Sequence, residues 1–252
     1  MCDDYLLYDR FRVRNPVYNA FMRFSAPKLI DCSRGGRDAE RPTELFIVEG
    51  DSAASTINRV RDASFQAILP MQGKPMNAVK ANLNDLKKNI QFAALFEALG
   101  VDLANQNREE DIRYEKIILL FDPDADGIHA RTLMLLFFHK WMRWWLDAGR
   151  IFDVHAPQWE IVSPALTQPV YAATPDHLQR IRQHLRDEGV TDIKTRRFRG
   201  IGSIDGKILK TRCVDPATRE LTSLTAAHAE AAMEVFRDLR SLSRGPRHDH
   251  AD

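Results

Sequence analysis

Apolar residues along this chain gather into short, solid blocks, each followed by a stretch of helical character. Leu45-Phe46-Ile47-Val48 is wholly apolar, stops at Glu49-Gly50-Asp51-Ser52, and leads through Ala53-Ala54 toward Arg61. So short a run, with no polar alternation, predicts a strand buried on both faces. Asp51 or Ser52 is placed to cap the helix behind it. Ala67-Ile68-Leu69-Pro70 predicts a second strand and is followed by a loop holding Gly73-Lys74. Leu83 to Leu99 predicts one helix, which Gly100 closes. The pattern then repeats. Lys116 to Phe121 is another apolar block, ending in Asp122-Pro123-Asp124-Ala125-Asp126-Gly127, and a long helix is expected from about Ile128 to Asp147, closed by Gly149. Short strands are expected at Ile151 to His155 and Trp159 to Val162, and a helix at Pro175 to Glu188.

This alternation predicts an α/β fold, a parallel, Rossmann-like sheet with helices on both faces, plus a smaller C-terminal α/β appendage. The expected divisions are a lead-in over 1–42, the main domain over 43–165, a C-terminal region over 166–245 and a flexible tail over 246–252. Trp141, Trp144 and Trp145, with Phe137 and Phe138, read at helical spacing as core or helix packing; three tryptophans so close cannot all face one core from a single helix, which leaves one to mark a partner surface.

The candidate chemistry is carboxylate. Glu49 and Asp51 follow one buried strand, and Asp122, Asp124 and Asp126 follow another. In open parallel sheets, ligands bind at the carboxyl ends of the strands, so both clusters are expected on one rim. The aspartates alternate, so an extended segment would point them to one side, and Gly127 would permit a sharp turn into the helix. Carboxylates crowded together raise one another's pKa unless a cation neutralises them. An all-oxygen set with no His or Cys favours Mg²⁺ or Mn²⁺ over zinc. A calcium loop would need a glutamate where Leu133 stands, so that reading fails.

Charge and cysteine usage narrow the setting. Net charge is +1, from 36 basic and 35 acidic residues, but Lys194 to Arg212 holds seven basic residues against Asp205 alone. On charge alone that stretch reads as a solvated basic face. The richest apolar run, Leu133 to Phe138, is cut by His139 and Lys140, so no membrane span is expected. Asp3 and Asp4 do not suit a signal peptide, and three scattered cysteines (Cys2, Cys32, Cys213) suit a reducing cytoplasm.

Glu49-Gly50-Asp51-Ser52-Ala53 together with Asp122-x-Asp124-x-Asp126-Gly127 resembles the TOPRIM signature of topoisomerases, bacterial primases and some nucleases. Lys28-Leu29-Ile30-Asp31-Cys32, Ile68-Leu69-Pro70-Met71-Gln72-Gly73-Lys74, Arg131-Thr132-Leu133 and the stretch from Arg197 to Leu221 are similar to the B subunits of gyrase and topoisomerase IV. The resemblance covers about Lys28 to Arg240. It implies a Mg²⁺ site formed by Glu49, Asp122, Asp124 and Asp126, with Lys74 and Arg131 joining Glu49, Asp122 and Asp124 as catalytic groups. It implies DNA contacts from Lys74, His129, Arg131, Arg197, Arg199 and Lys207, and so gives the basic stretch a reason to exist.

It also implies partners, DNA and an A-type subunit carrying the nucleophilic tyrosine, and leaves open whether an ATPase exists on a separate polypeptide. Tyr5, Tyr8, Tyr18, Tyr114 and Tyr171 match no nucleophile motif, and the 48 residues before Glu49 cannot hold the family's ATPase and transducer regions. With no P-loop pattern either, no ATP site is expected in this chain. Where the family has a glycine pair this chain has Ala54-Ser55, and the family's Gln-Pro-x-x-Tyr-Lys becomes the sequence from Ala156 to Ile161. Besides a topoisomerase component, the readings left open are a regulatory DNA-binding protein and a stand-alone metal-dependent nuclease.

Overall fold

The computed structural model describes Lys28 to Ser33, residues 42–101 and residues 113–243, with side chains described as far as Arg237. Most of the expected lead-in and all of the expected tail lie outside the described residues.

The main sheet is built from β1 (Glu44–Glu49), β2 (Gln66–Met71), β3 (Lys116–Leu120), β4 (Ile151–Asp153) and β8 (Thr222–Ser223). Its order is β2-β1-β3-β4-β8, with the first four strands parallel and β8 antiparallel at the edge. Side chains alternate across a strand, so each central strand feeds two cores. Leu45, Ile47, Ile117 and Leu119 enter one core, and Phe46, Val48, Ile118 and Leu120 enter the other. That double burial is why these strands read as unbroken apolar runs.

The first core is covered by α3 (Ile90–Leu99), α4 (Ala125–Trp141), α5 (Arg143–Asp147) and α8 (Ala226–Ser243). The second is covered by α1 (Gly50–Asn58), the 3-10 turn Ile201–Ser203, α7 (Gly206–Leu209) and the π-turn Lys210–Val214. A second sheet of β5 (Trp159–Val162), β6 (Val170–Ala172) and β7 (Lys194–Arg197) is antiparallel in the order β6-β5-β7. It packs with α6 (Pro175–Asp187) around Ile161, Ala172, Leu178 and Leu185. An α/β fold with a parallel main sheet and a smaller appendage is therefore present. β5 pairs within the appendage, and β8 and α8 return to the main sheet from beyond it.

Two expected helices are each broken in two. The first divides at Asn89, whose backbone is extended and whose side chain accepts from Gln91 and Phe92, starting α3 afresh after α2 (Leu83–Lys88). An Asx side chain that bonds nearby amides competes with continuing a helix. The second divides at Met142 (φ −144°, ψ 42°), between α4 and α5. This break lets all three tryptophans pack against one core, as the helical-spacing reading expects, while Trp141 and Trp144 stay partly exposed. Trp145 is fully buried, Trp141 and Trp144 pack against the same core, and Trp141 Nε1 donates to the Ala78 carbonyl at 3.0 Å. The expected cap of α1 also differs, because Glu49 occupies the N-cap position and no side chain bonds there.

The ends of β1 and β2 away from the candidate site hold a buried ion pair. Arg219 grips both oxygens of Glu44, and Gln66 Nε2 donates to Glu44 Oε2 at 2.9 Å. Arg219 also donates to the Val214 carbonyl at 2.9 Å, so this charge cluster ties the C-terminal segment to the start of the sheet. Glu44 and Arg219 are 1% and 9% exposed. Removing one partner of such a pair leaves an uncompensated buried charge. Arg219→Ala is expected to destabilise the chain by about 3–5 kcal/mol, whereas Glu44→Leu combined with Arg219→Leu should recover much of the loss. Urea denaturation of the three proteins checks this, and equal losses for single and double variants would contradict it.

Candidate metal centre

β1 and β3 are parallel neighbours, so Glu49 and the loop that begins at Asp122 emerge on the same edge of the sheet. Glu49 is half-buried, and its Oε2 is buried with no hydrogen-bond partner. Its carboxyl holds its proton more tightly than usual. Burial is the main cause, followed by the charges of Asp122, Asp124 and Asp126, with a hydrogen bond from the Asp122 backbone acting against them. All four groups therefore share one electrostatic site.

The aspartates are not an extended run. Asp124 is the N-cap of α4 and accepts from the Gly127 amide at 2.9 Å. Asp122 accepts from the Ile201 amide at 2.7 Å, and burial raises its proton affinity against that bond. Asp126 is exposed in the first turn of α4 and meets Lys74 Nζ at 3.0 Å. Asp51 turns to Lys28 at 2.6 Å and Gln72 at 2.9 Å. The role expected for Gly127 is also corrected. It has no positive φ, but a Cβ there would lie 2.0 Å from the Asp122 carbonyl oxygen, so glycine is required by close approach.

Among the described residues, no group of three His, Cys, Asp or Glu side chains is gathered as a ready ligand set. The rim nevertheless fits a hard divalent cation. Its donors are all carboxylate oxygens, and the orphaned Glu49 Oε2 lacks a positive partner.

The remaining candidates divide. Arg197 and Arg199 line an open groove with Asp124 and Phe198, beside the rim. The Arg197 guanidinium also sits over the Trp159 ring, 5.7 Å from its centroid. Lys207 is exposed at the start of α7, where Asp205 accepts its amide at 2.9 Å. Arg131 is ion-paired with buried Asp153 and lies 3.2 Å from His155 Nδ1. His129 is half-buried, with its ring 5.8 Å from that of Phe236. The structure thus brings Glu49, Asp122, Asp124, Asp126 and Lys74 near one another, with Arg197 and Arg199 alongside; Arg131, though paired with Asp153, lines a cavity with Asp122 and Gly127, and His129 faces Phe236.

Sequence reasoning missed the groups that hold the acidic loop. Ile201 reaches Asp122, buried Gln158 donates from Nε2 to the Pro123 carbonyl at 3.1 Å, and Gly200 and Gly202 press on the two motifs. The alternating glycines of Arg199-Gly200-Ile201-Gly202 were the available signal.

The Toprim domain model matches residues 44–152, from the start of β1 into β4, with both acidic clusters inside the match. This segment is a Toprim domain. The chain is also 35% identical to the DNA gyrase B protein of Thermotoga maritima over 83% of its length, and 36% identical to that of Halalkalibacterium halodurans over 88%. It is 32% identical to the DNA gyrase B protein of Thermus thermophilus over 88% of its length. Similarity to gyrase B therefore extends beyond the Toprim domain through the basic C-terminal region. The chain spans about a third of the length of these curated relatives, matching 32%, 34% and 34% of them.

The crowded rim has a measurable cost when the chain is kept in EDTA. Glu49 binds its proton more tightly folded than unfolded, so its contribution to stability is present at acidic pH and is lost as pH rises through its raised pKa. Glu49→Gln should raise the thermal midpoint in EDTA at neutral pH, and the gain should shrink below the ordinary carboxylate range. Melting curves across pH check this. A lowered midpoint at neutral pH would contradict it.

Proposed function

We propose that this chain holds the divalent cation of a type IIA topoisomerase-like DNA cleavage site and works with an A-type chain that supplies the attacking tyrosine. The observation that carries the reading is the unpartnered, buried Glu49 Oε2 on a rim shared with Asp122, Asp124 and Asp126. These residues would hold Mg²⁺, with Mn²⁺ an acceptable substitute. When bound, the metal ion supplies charge stabilisation to the scissile phosphate and the leaving 3′ oxygen. Glu49, with its raised proton affinity, is suited to exchanging a proton with that oxygen. Lys74 is half-exposed and ion-paired with exposed Asp126, so it can turn from that carboxylate to a DNA phosphate.

Arg197 and Arg199 would track the DNA backbone into the rim, their charge set against phosphate rather than base edges. Arg131 lines the cavity beside Asp122 and would contact phosphate there by giving up part of its pairing with Asp153. One observation favours the regulatory reading as the alternative: Asp122 and Asp124 each already accept a backbone amide. Under that reading the chain binds DNA with a metal ion and cleaves nothing.

Plasmid cleavage and relaxation in Mg²⁺ separate the two. Cleavage is expected only when the chain is mixed with a gyrase or topoisomerase IV A-type partner, and it should disappear with Asp124→Ala. Bound Mg²⁺ with no cleavage in the mixture would favour the regulatory reading, and cleavage by the chain alone would favour a nuclease. The DNA contacts are tested separately. Arg197→Ala or Arg199→Ala should weaken duplex binding similarly across sequences and lower the slope of log affinity against log salt by about 1 each. An unchanged slope would remove these arginines from the interface.

A further inference from the structure

The Arg199–Ser203 turn touches both acidic motifs at once, and it does so with backbone rather than side chains. Gly200 is extended (φ 172°, ψ 176°), a conformation any residue adopts, so its backbone angles do not demand glycine. Space does. A Cβ at Gly200 would lie 2.5 Å from Asp122 Oδ2, while the next amide, Ile201 N, donates to Asp122 Oδ1 at 2.7 Å. Consecutive residues of one turn thus hold one oxygen of Asp122 and leave room for the other. Two residues on, a Cβ at Gly202 would lie 2.4 Å from Ser52 Oγ, beside the first acidic motif.

The turn is rigid in its own right. Ser203 Oγ accepts from the Arg199 and Gly200 amides at 3.0 and 3.3 Å and donates to the Gly200 carbonyl at 2.7 Å. It is anchored below by Ile201 and Ile204, both buried in the core under α1. It is anchored on the other side by Phe198, whose amide donates to the Gln158 carbonyl at 2.8 Å, and Gln158 also reaches the Pro123 carbonyl.

We infer that Gly200 and Ile201 are positioning residues for Asp122: the turn fixes the direction of that carboxylate, and Gly200 is glycine so that the carboxylate can stand where the cation needs it. This inference rests on the metal reading of the rim. Groups that orient a metal ligand through hydrogen bonds commonly contribute about 10–100-fold to metal affinity.

The comparison of Gly200→Ala with Gly202→Ala tests it, because each adds one methyl group to the same turn. Only the first pushes on Asp122; the second pushes on Ser52. Mg²⁺ affinity is read by isothermal titration calorimetry on the whole chain, with thermal melting in EDTA reporting folding. Gly200→Ala should weaken Mg²⁺ binding by about tenfold or more, and Gly202→Ala should change it less than about threefold, with both proteins folded. Ser203→Ala, which loosens the turn without adding bulk, should weaken binding in the same direction, and it carries the test if Gly200→Ala does not fold. Equal losses for the two glycine variants, or unchanged or tighter binding in Gly200→Ala, would overturn the positioning role alone. Absence of Mg²⁺ binding by the unaltered chain would overturn the metal reading and the positioning role with it.

Discussion

The constraint on which this site depends is the burial of Glu49 beside three aspartates, at and just beyond the ends of two adjacent parallel strands. Burial and the neighbouring aspartates hold Glu49 above its usual range, so nearby donors act as partial relief. Lys74 answers Asp126, the start of α4 answers Asp124, and the Ile201 amide answers Asp122. Lys28 and Gln72 draw Asp51 away from the crowd. One oxygen of Glu49 stays buried with no hydrogen-bond partner. Carboxylates held this close, with one buried oxygen unpartnered, are the basis of the metal reading proposed above.

The two-layered covering follows from the same geometry. A parallel sheet needs both faces buried, and here the second face is closed largely by the segment after β7. Because that segment must cross the sheet beside the rim, it brings Gly200 and Ile201 to the acidic loop and Arg197 and Arg199 to its mouth. Core packing and site construction are therefore one event. The appendage contributes both a basic edge and, through Gln158, a second hold on the loop between Asp122 and Asp124.

Much of this was legible in the residues alone. Solid apolar blocks marked β1, β2 and β3, because strands buried on both faces cannot alternate. Position after those strands put Glu49 and the aspartates on one rim. The local directions of the side chains were not legible. Asp124 rather than Asp126 caps α4, and Gly127 is dictated by a carbonyl five residues earlier, a contact that exists only once the loop has folded back. The breaks at Asn89 and Met142 were hidden because the apolar pattern continues across both. The glycines of the Arg199–Ser203 turn read as loop residues, since their partners lie far away in sequence.

The clamp between Glu44 and Arg219 joins residues 175 positions apart. During synthesis the acidic motifs thus leave the ribosome on the order of ten seconds before the segment that buries Glu44 and braces Asp122. Throughout that interval the nascent sheet lacks the cover for one of its faces, and its carboxylates lack their latest partners. Closing so long a loop costs chain entropy before any contact offsets it. The bracing of the rim consequently waits for residues made long after its carboxylates, and a chain interrupted before Gly200 would carry every acidic residue of the site without the turn that holds Asp122.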